Sequence, residues 1–175
     1  DVDEPENVRR ALTPRSKAIF VESLANPGGA VTDLEPIAAI ARAAGIPLIV
    51  DNTLASPYLC QPFDWGADIV VHSTTKFLAG HGNSMGGAIV DSGRFDWSAS
   101  DKFPALAAPE PAYHGLRFHE TFGDMALVLH TKAVGLRDLG PALSPTNAFL
   151  TLTGIETLAL RMQRHVENAE VVAGW

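Results

Sequence analysis

Residues Ala67 to Gly87 read ADIVVHSTTKFLAGHGNSMGG, and the way this stretch changes character decides the fold. Asp68 to Ser73 is a short run centred on Ile69, Val70 and Val71, the pattern of a parallel strand buried on both faces. It breaks abruptly into the hydroxyls Ser73, Thr74 and Thr75, and Lys76 follows at once. Open α/β sheets bind ligands beyond the C-terminal ends of their strands. Such a group of hydroxyl donors suits a phosphate beside an amine. Read alone, the segment fits equally an ordinary strand exit with a solvated surface lysine.

Working outward, Lys17 to Leu24 (KAIFVESL) has the β-branched and aromatic content of a strand, stopped by Asn26-Pro27-Gly28-Gly29. Asp33 is placed to cap a helix over Leu34 to Ala44, with Pro36 in its first turn and Gly45 as its stop. Its apolar face is Ile37, Ile40, Ala41 and Ala44. Pro47 to Asp51 (PLIVD) is a second short strand ending on a carboxylate. Strand, helix, strand in this order predicts a βαβ unit, and Asp68 to Ser73 adds a third strand. Ala88-Ile89-Val90 predicts a fourth, with Asp91-Ser92-Gly93 turning out of it. The fold class is therefore α/β.

Residues 1–14 carry no motif and read as a loop or the end of a preceding element. Phe95 to Tyr113, with its scattered prolines, reads as a long surface excursion. Leu116 to Leu139 has helical content and ends at Gly140-Pro141. Ser144 and Pro145 suit the cap and first position of a short helix through Leu152. From Gly154 to Trp175, Ile155, Leu158, Met162, Val166, Ala169 and Ala173 form one helical face. That face predicts a burying surface in sequence beyond this chain, so a fragment of a longer protein is expected. Residues 1–139 read as the second half of one domain and 140–175 as connecting helices leading into another.

Composition narrows the classes of function. At 175 residues, 46% hydrophobic and 19% charged, the chain is long enough for one core. A net charge of −7 argues against general affinity for nucleic acid or anionic lipid. No apolar run approaches a membrane span, and the single cysteine, Cys60, fits a reducing cytoplasm. The histidines lack metalloprotease spacing and one cysteine makes no zinc knuckle, so no metal site is expected. Gly80, Gly82, Gly86 and Gly87 match neither the dinucleotide nor the P-loop spacing.

Asn26, Asp51, Ser73, Thr75 and Lys76 all fall at or just past strand ends, which in a parallel sheet share one edge. An aspartate ending a buried strand needs a cationic or hydrogen-bonding partner. Pyridoxal 5'-phosphate would supply a ring nitrogen for Asp51, an aldehyde for Lys76, a phenolic oxygen for Asn26 and a phosphate for Ser73 and Thr75. Thr53, two residues past Asp51, would face the same way if the strand continued.

The motifs VESLANP (Val21–Pro27), IVDNTLASPYLCQP (Ile49–Pro62) and HSTTKFLAGHGNSMGG (His72–Gly87) resemble the cysteine and methionine metabolism family of pyridoxal-phosphate enzymes. Leu54 and Ser56 stand where phenylalanine and threonine are common in that family. The resemblance implies part of the large domain of an aspartate-aminotransferase-like (fold type I) transferase, a mostly parallel sheet flanked by helices, with the start of the C-terminal domain. It places the Schiff-base lysine at Lys76, the ring-nitrogen partner at Asp51, the phosphate hydroxyls at Ser73 and Thr75, and the phenolate-side amide at Asn26. GRFDW, KFPAL and PEPAYHGLRF, within Gly93 to Phe118, resemble the sulfhydrylase branch, as do GLRDLGPALSPTNAF and GIETLALRMQRHVENA. That branch implies γ-replacement on O-acetyl-L-homoserine by sulfide or a small thiol, giving homocysteine or methionine and acetate. Cystathionine γ-synthase, or a methionine or cystathionine γ-lyase, is the alternative within the family, and an inactive cofactor-binding fragment the alternative outside it. The family further implies a cytoplasmic homotetramer of dimers that share active sites. Its ring-stacking and substrate-carboxylate residues are expected outside this chain.

Overall fold

Strand β1 (Ile19–Glu22), β2 (Leu48–Asp51), β3 (Ile69–Ser73) and β4 (Gly87–Asp91) form one sheet in chain order. The computed structural model describes residues 2–175. β1, β2 and β3 run parallel, and β4 returns antiparallel beside β3. The register sets the two faces, because successive side chains on a strand point to opposite sides. Val21, Val50 and Val70 lie in one row across the sheet, while Glu22, Asp51 and Val71 lie in the next.

The first face packs on helix α2 (Leu34–Ala43), which follows α1 (Pro5–Ala11) in the chain. Leu34, Ile37, Ala38, Ile40 and Ala41 of α2 meet Ile19, Val21, Leu48, Val50 and Val70. Ile37, Leu48 and Val50 are fully buried, each contributing about 1.5–3 kcal/mol of apolar transfer. Asp33 sits at the cap position of α2 but its side chain makes no capping hydrogen bond. β2 leads through α3 (Ser56–Leu59) and a 3-10 turn at Pro62–Trp65 into β3.

The second face is where the sequence reading needs correction. The stretch after Phe95 is not a surface excursion: Trp97 is only 7% exposed and, with α4 (Pro104–Ala107), helps cover Ile69. Phe95, Trp97 and Phe103 meet edge-on, with ring centroids 4.8–5.4 Å apart, the arrangement that aromatic quadrupoles favour. Residues 1–14, expected to be a loop or the end of a preceding element, contain α1, with Pro5 in its first turn, where its missing N–H is no loss. The helical stretch from Leu116 is broken into α5 (Phe118–Phe122), α6 (Ala126–His130) and α7 (Arg137–Leu139). Gly123 interrupts it at φ +54°, and Thr131–Leu136 form a π turn.

α8 (Pro145–Ile155) begins as expected: Ser144 Oγ accepts the Asn147 N–H at 3.1 Å. It runs past Leu152 and takes in Gly154, so α9 starts only at Leu158 and ends at Ala173. Leu158 and Met162 of α9 pack on Leu78, whereas Ala169 and Ala173 are exposed. Among the described residues no helix is long and apolar enough to cross a membrane.

Candidate active site at the strand ends

The parallel run of β1, β2 and β3 brings the ends carrying Asn26, Asp51, Ser73 and Lys76 to one edge of the sheet. Asp51 closes β2 and is half-buried; its Oδ1 accepts the Thr53 N–H at 2.9 Å. Thr53 Oγ1 in turn accepts the Ser73 N–H at 2.8 Å. Thr53 therefore bridges the ends of β2 and β3 and fixes Asp51 relative to Ser73. Asp51 pairs with Val71, so Ser73, two residues further, projects to the same face as Asp51. Among the described residues Asp51 has no cationic partner within ion-pair distance, and Ser73 Oγ makes no hydrogen bond.

Lys76 sits in a turn locked at its base. The Thr74 N–H donates to Gly86 O at 3.0 Å; Thr75 Oγ1 donates to Gly86 O at 3.3 Å and accepts from Gly86 N at 3.1 Å. The Gly80 N–H closes on Lys76 O at 2.8 Å. Lys76 itself is exposed, and its ammonium has no hydrogen bond or ion pair among the described residues. Thr75, expected to face a ligand, thus already spends its hydroxyl on Gly86.

Asn26 lies past the end of β1, exposed, before a cis Asn26–Pro27 peptide. Its backbone N–H donates to Glu22 Oε2 at 2.8 Å. Glu22 was not among the residues singled out from the sequence. It is the register partner of Asp51, so the two acidic residues occupy neighbouring positions on one face of the sheet, and neither forms an ion pair among the described residues. The buried Asn52 was missed too: Ser23 Oγ donates to its Oδ1 at 2.7 Å, and its Nδ2 donates to Cys60 O at 2.9 Å. It ties the ends of β1 and β2 to the loop after α3. An asparagine following a strand carboxylate is a detectable signal; Glu22 required the register.

The reverse face is different in kind. His72 is buried, and its Nδ1 has no hydrogen-bond partner among the described residues. Burial pushes its imidazole below the ordinary value of 6.5, and the Asp51 carboxylate opposes this more weakly.

The sequence pattern of the Cys/Met metabolism PLP-dependent enzymes matches residues 1–175. The chain belongs to that family. It is 48% identical over 99% of its length to an O-acetyl-L-homoserine sulfhydrylase of Leptospira meyeri, covering 41% of that protein. It is 47% identical over 99% of its length to the homocysteine/cysteine synthase of Saccharomyces cerevisiae, covering 39%. Among solved structures it superposes with a TM-score of 0.95, at 40% identity, on a Campylobacter jejuni protein described as an O-acetylhomoserine (thiol)-lyase carrying a pyridoxyl-lysine phosphate. That match covers 99% of this chain and 43% of the other. The chain thus spans about two fifths of the relatives it matches and, in this Cys/Met metabolism family member, the expected fold-type assignment holds.

The residues present fit the family's cofactor. A half-buried carboxylate without a cation suits a protonated ring nitrogen, the unengaged Ser73 hydroxyl suits a phosphate oxygen, and the unpaired Lys76 amine suits an aldehyde. Thr75 fits less freely, since donating to a phosphate would release Gly86 O.

Proposed function

We propose that the full-length protein containing this chain is a PLP-dependent transferase. It would exchange the acetoxy group of O-acetyl-L-homoserine for sulfide or a small thiol, yielding L-homocysteine or methionine and acetate. The observation that carries this is the unpaired Lys76 amine at the exit of β3, within a chain 48% identical to a named sulfhydrylase over nearly its whole length. When bound, pyridoxal phosphate supplies an electron sink that acidifies the substrate Cα–H. Asp51 would hold the proton on the ring nitrogen, Ser73 and Thr75 would donate to the phosphate, and Asn26 would donate to the phenolic oxygen. Lys76 would hold the cofactor aldehyde, then as a free amine take the proton from Cα and shuttle protons during loss of the γ-substituent. Thr53 and Glu22 would position Asp51 and Asn26 respectively.

The same reading includes a cytoplasmic homotetramer of dimers, with residues 140–175 leading into a further domain. The closing experiment incubates the full-length protein and cofactor with O-acetylhomoserine, with and without sulfide. Sulfide-dependent homocysteine and acetate are expected. A 2-oxo acid and ammonia formed without sulfide would replace this reading with a γ-lyase.

A further inference from the structure

Helices α8 and α9 lie against the turn that carries Lys76, and the Arg161 side chain spans the junction. From α9, Arg161 Nη1 donates to Phe77 O at 2.9 Å, the carbonyl of the residue after the lysine. Nη2 donates to Gly154 O at 2.7 Å and Nε to Thr157 Oγ1 at 3.1 Å. The guanidinium therefore joins the end of α8, the start of α9 and the lysine turn in one planar fork, a geometry that lysine cannot reproduce.

Two glycines permit this junction, one beside the guanidinium and one at the contact between α8 and the turn. A Cβ on Gly80, which has φ +78°, would lie 2.6 Å from the guanidinium carbon. A Cβ on Gly154 would lie 2.1 Å from Ala79 O, so α8 meets the turn backbone to backbone. On the far limb of the same turn, Asn147 Nδ2 donates to Met85 O at 2.9 Å.

The geometry points to Arg161 as a positioning residue for Lys76: by holding the Phe77 carbonyl it sets how residue 76 leaves the turn, and so couples α9 to the amine. This rests on the reading of Lys76 as the lysine that takes the cofactor aldehyde. A purely structural role would change how much protein is folded, whereas positioning changes the titration of the lysine-bound cofactor within the folded fraction.

The experiment uses full-length, cofactor-loaded protein and follows the visible absorption of the lysine-bound cofactor against pH. In Arg161→Met the midpoint should move by about half a unit or more, because the charge and orientation around the bound nitrogen change. Cofactor release into excess hydroxylamine should quicken about 10-fold or more, the usual consequence of removing a hydrogen bond from a charged donor. Arg164→Met, on the same helix but paired with Glu167 at 3.3 Å, should leave both readings at the wild-type values. Gly80→Ala, whose methyl displaces the guanidinium, should shift the midpoint in the same direction. Combining it with Arg161→Met should give less than the sum of the two.

An unmoved midpoint in folded Arg161→Met, or full additivity in the double variant, overturns the inference. Should Arg161→Met fail to fold, Gly80→Ala and Arg161→Lys carry the same test, and unmoved midpoints in both overturn it. A wild-type protein with no visible band, or a Lys76→Ala variant that keeps it, defeats instead the underlying reading of Lys76.

Discussion

Lys76 and Asp51 stand at the ends of adjacent strands for different reasons, and their variants should fail differently. Lys76→Ala removes the unpaired amine, so the full-length protein should lose the visible absorption of bound cofactor and its turnover together. Retained turnover would remove Lys76 from the mechanism. Asp51→Ala should still bind cofactor but lose turnover by roughly 10²- to 10³-fold, the scale seen when one preorganised electrostatic partner is deleted. Near-normal kinetics would exclude Asp51 from the ring nitrogen. Glu22→Ala frees the Asn26 backbone N–H now held at 2.8 Å. A weakening of cofactor binding by about 10-fold is expected, about 1.4 kcal/mol for one charged hydrogen bond, and equilibrium dialysis measures it. Asp51, Ser73 and Lys76 were legible in the sequence because a β-branched run ending in a polar residue announces its own strand end. Glu22 was not, since only the pairing of β1 with β2 puts it beside Asp51.

Elements were legible where one local rule sufficed. β2 and β3 follow from apolar runs, α2 from its 3.6-residue face, and α8 from Ser144 and Pro145. Boundaries set by tertiary contact escaped: Gly154 belongs to α8 because its bare backbone must pass Ala79 O, a constraint no local pattern encodes. The aromatic layer of Phe95, Trp97 and Phe103 was hidden by prolines that mimic a solvated loop. Gly154→Ala should therefore destabilise by about 1–3 kcal/mol, the cost of overpacking a close contact, and urea unfolding of the full-length protein gives the value. An unchanged midpoint would mean that α8 moves away from the turn at little cost.

For the whole molecule, acid stability should carry the mark of His72. The unfolded chain takes up a proton near 6.5 while the buried imidazole resists it, so stability is present above that value and falls as pH drops below it. Asp68 and Asp91 have the opposite sign: burial raises both above 3.8, so they disfavour folding as pH rises through that lower range. Unfolding free energies between about pH 7 and 5 should thus decline toward acid, and His72→Gln should flatten the slope; an identical slope would assign the decline elsewhere. β1 and β4 are the outer strands, with Phe20 59% and Ile89 62% exposed on the same face. Open edges of this kind pair with one another. The 175-residue chain by itself should self-associate with rising concentration in light scattering, and Ile89→Lys should reduce this; a monomer at all concentrations would contradict it.

The double latch of Thr74 and Thr75 onto Gly86 makes residues 74–86 a ring sewn shut at its neck, from which the side chain of residue 76 emerges at one place. Moving the amine one step back, as Thr75→Lys in a Lys76→Ala background, would cut one of the stitches. Moving it one step forward to residue 77 would turn it toward His165, whose ring lies 5.3 Å from that of Phe77. A transplanted lysine on either side should therefore recover no colour and no product: the proposed role of Lys76 would have a single address in this chain.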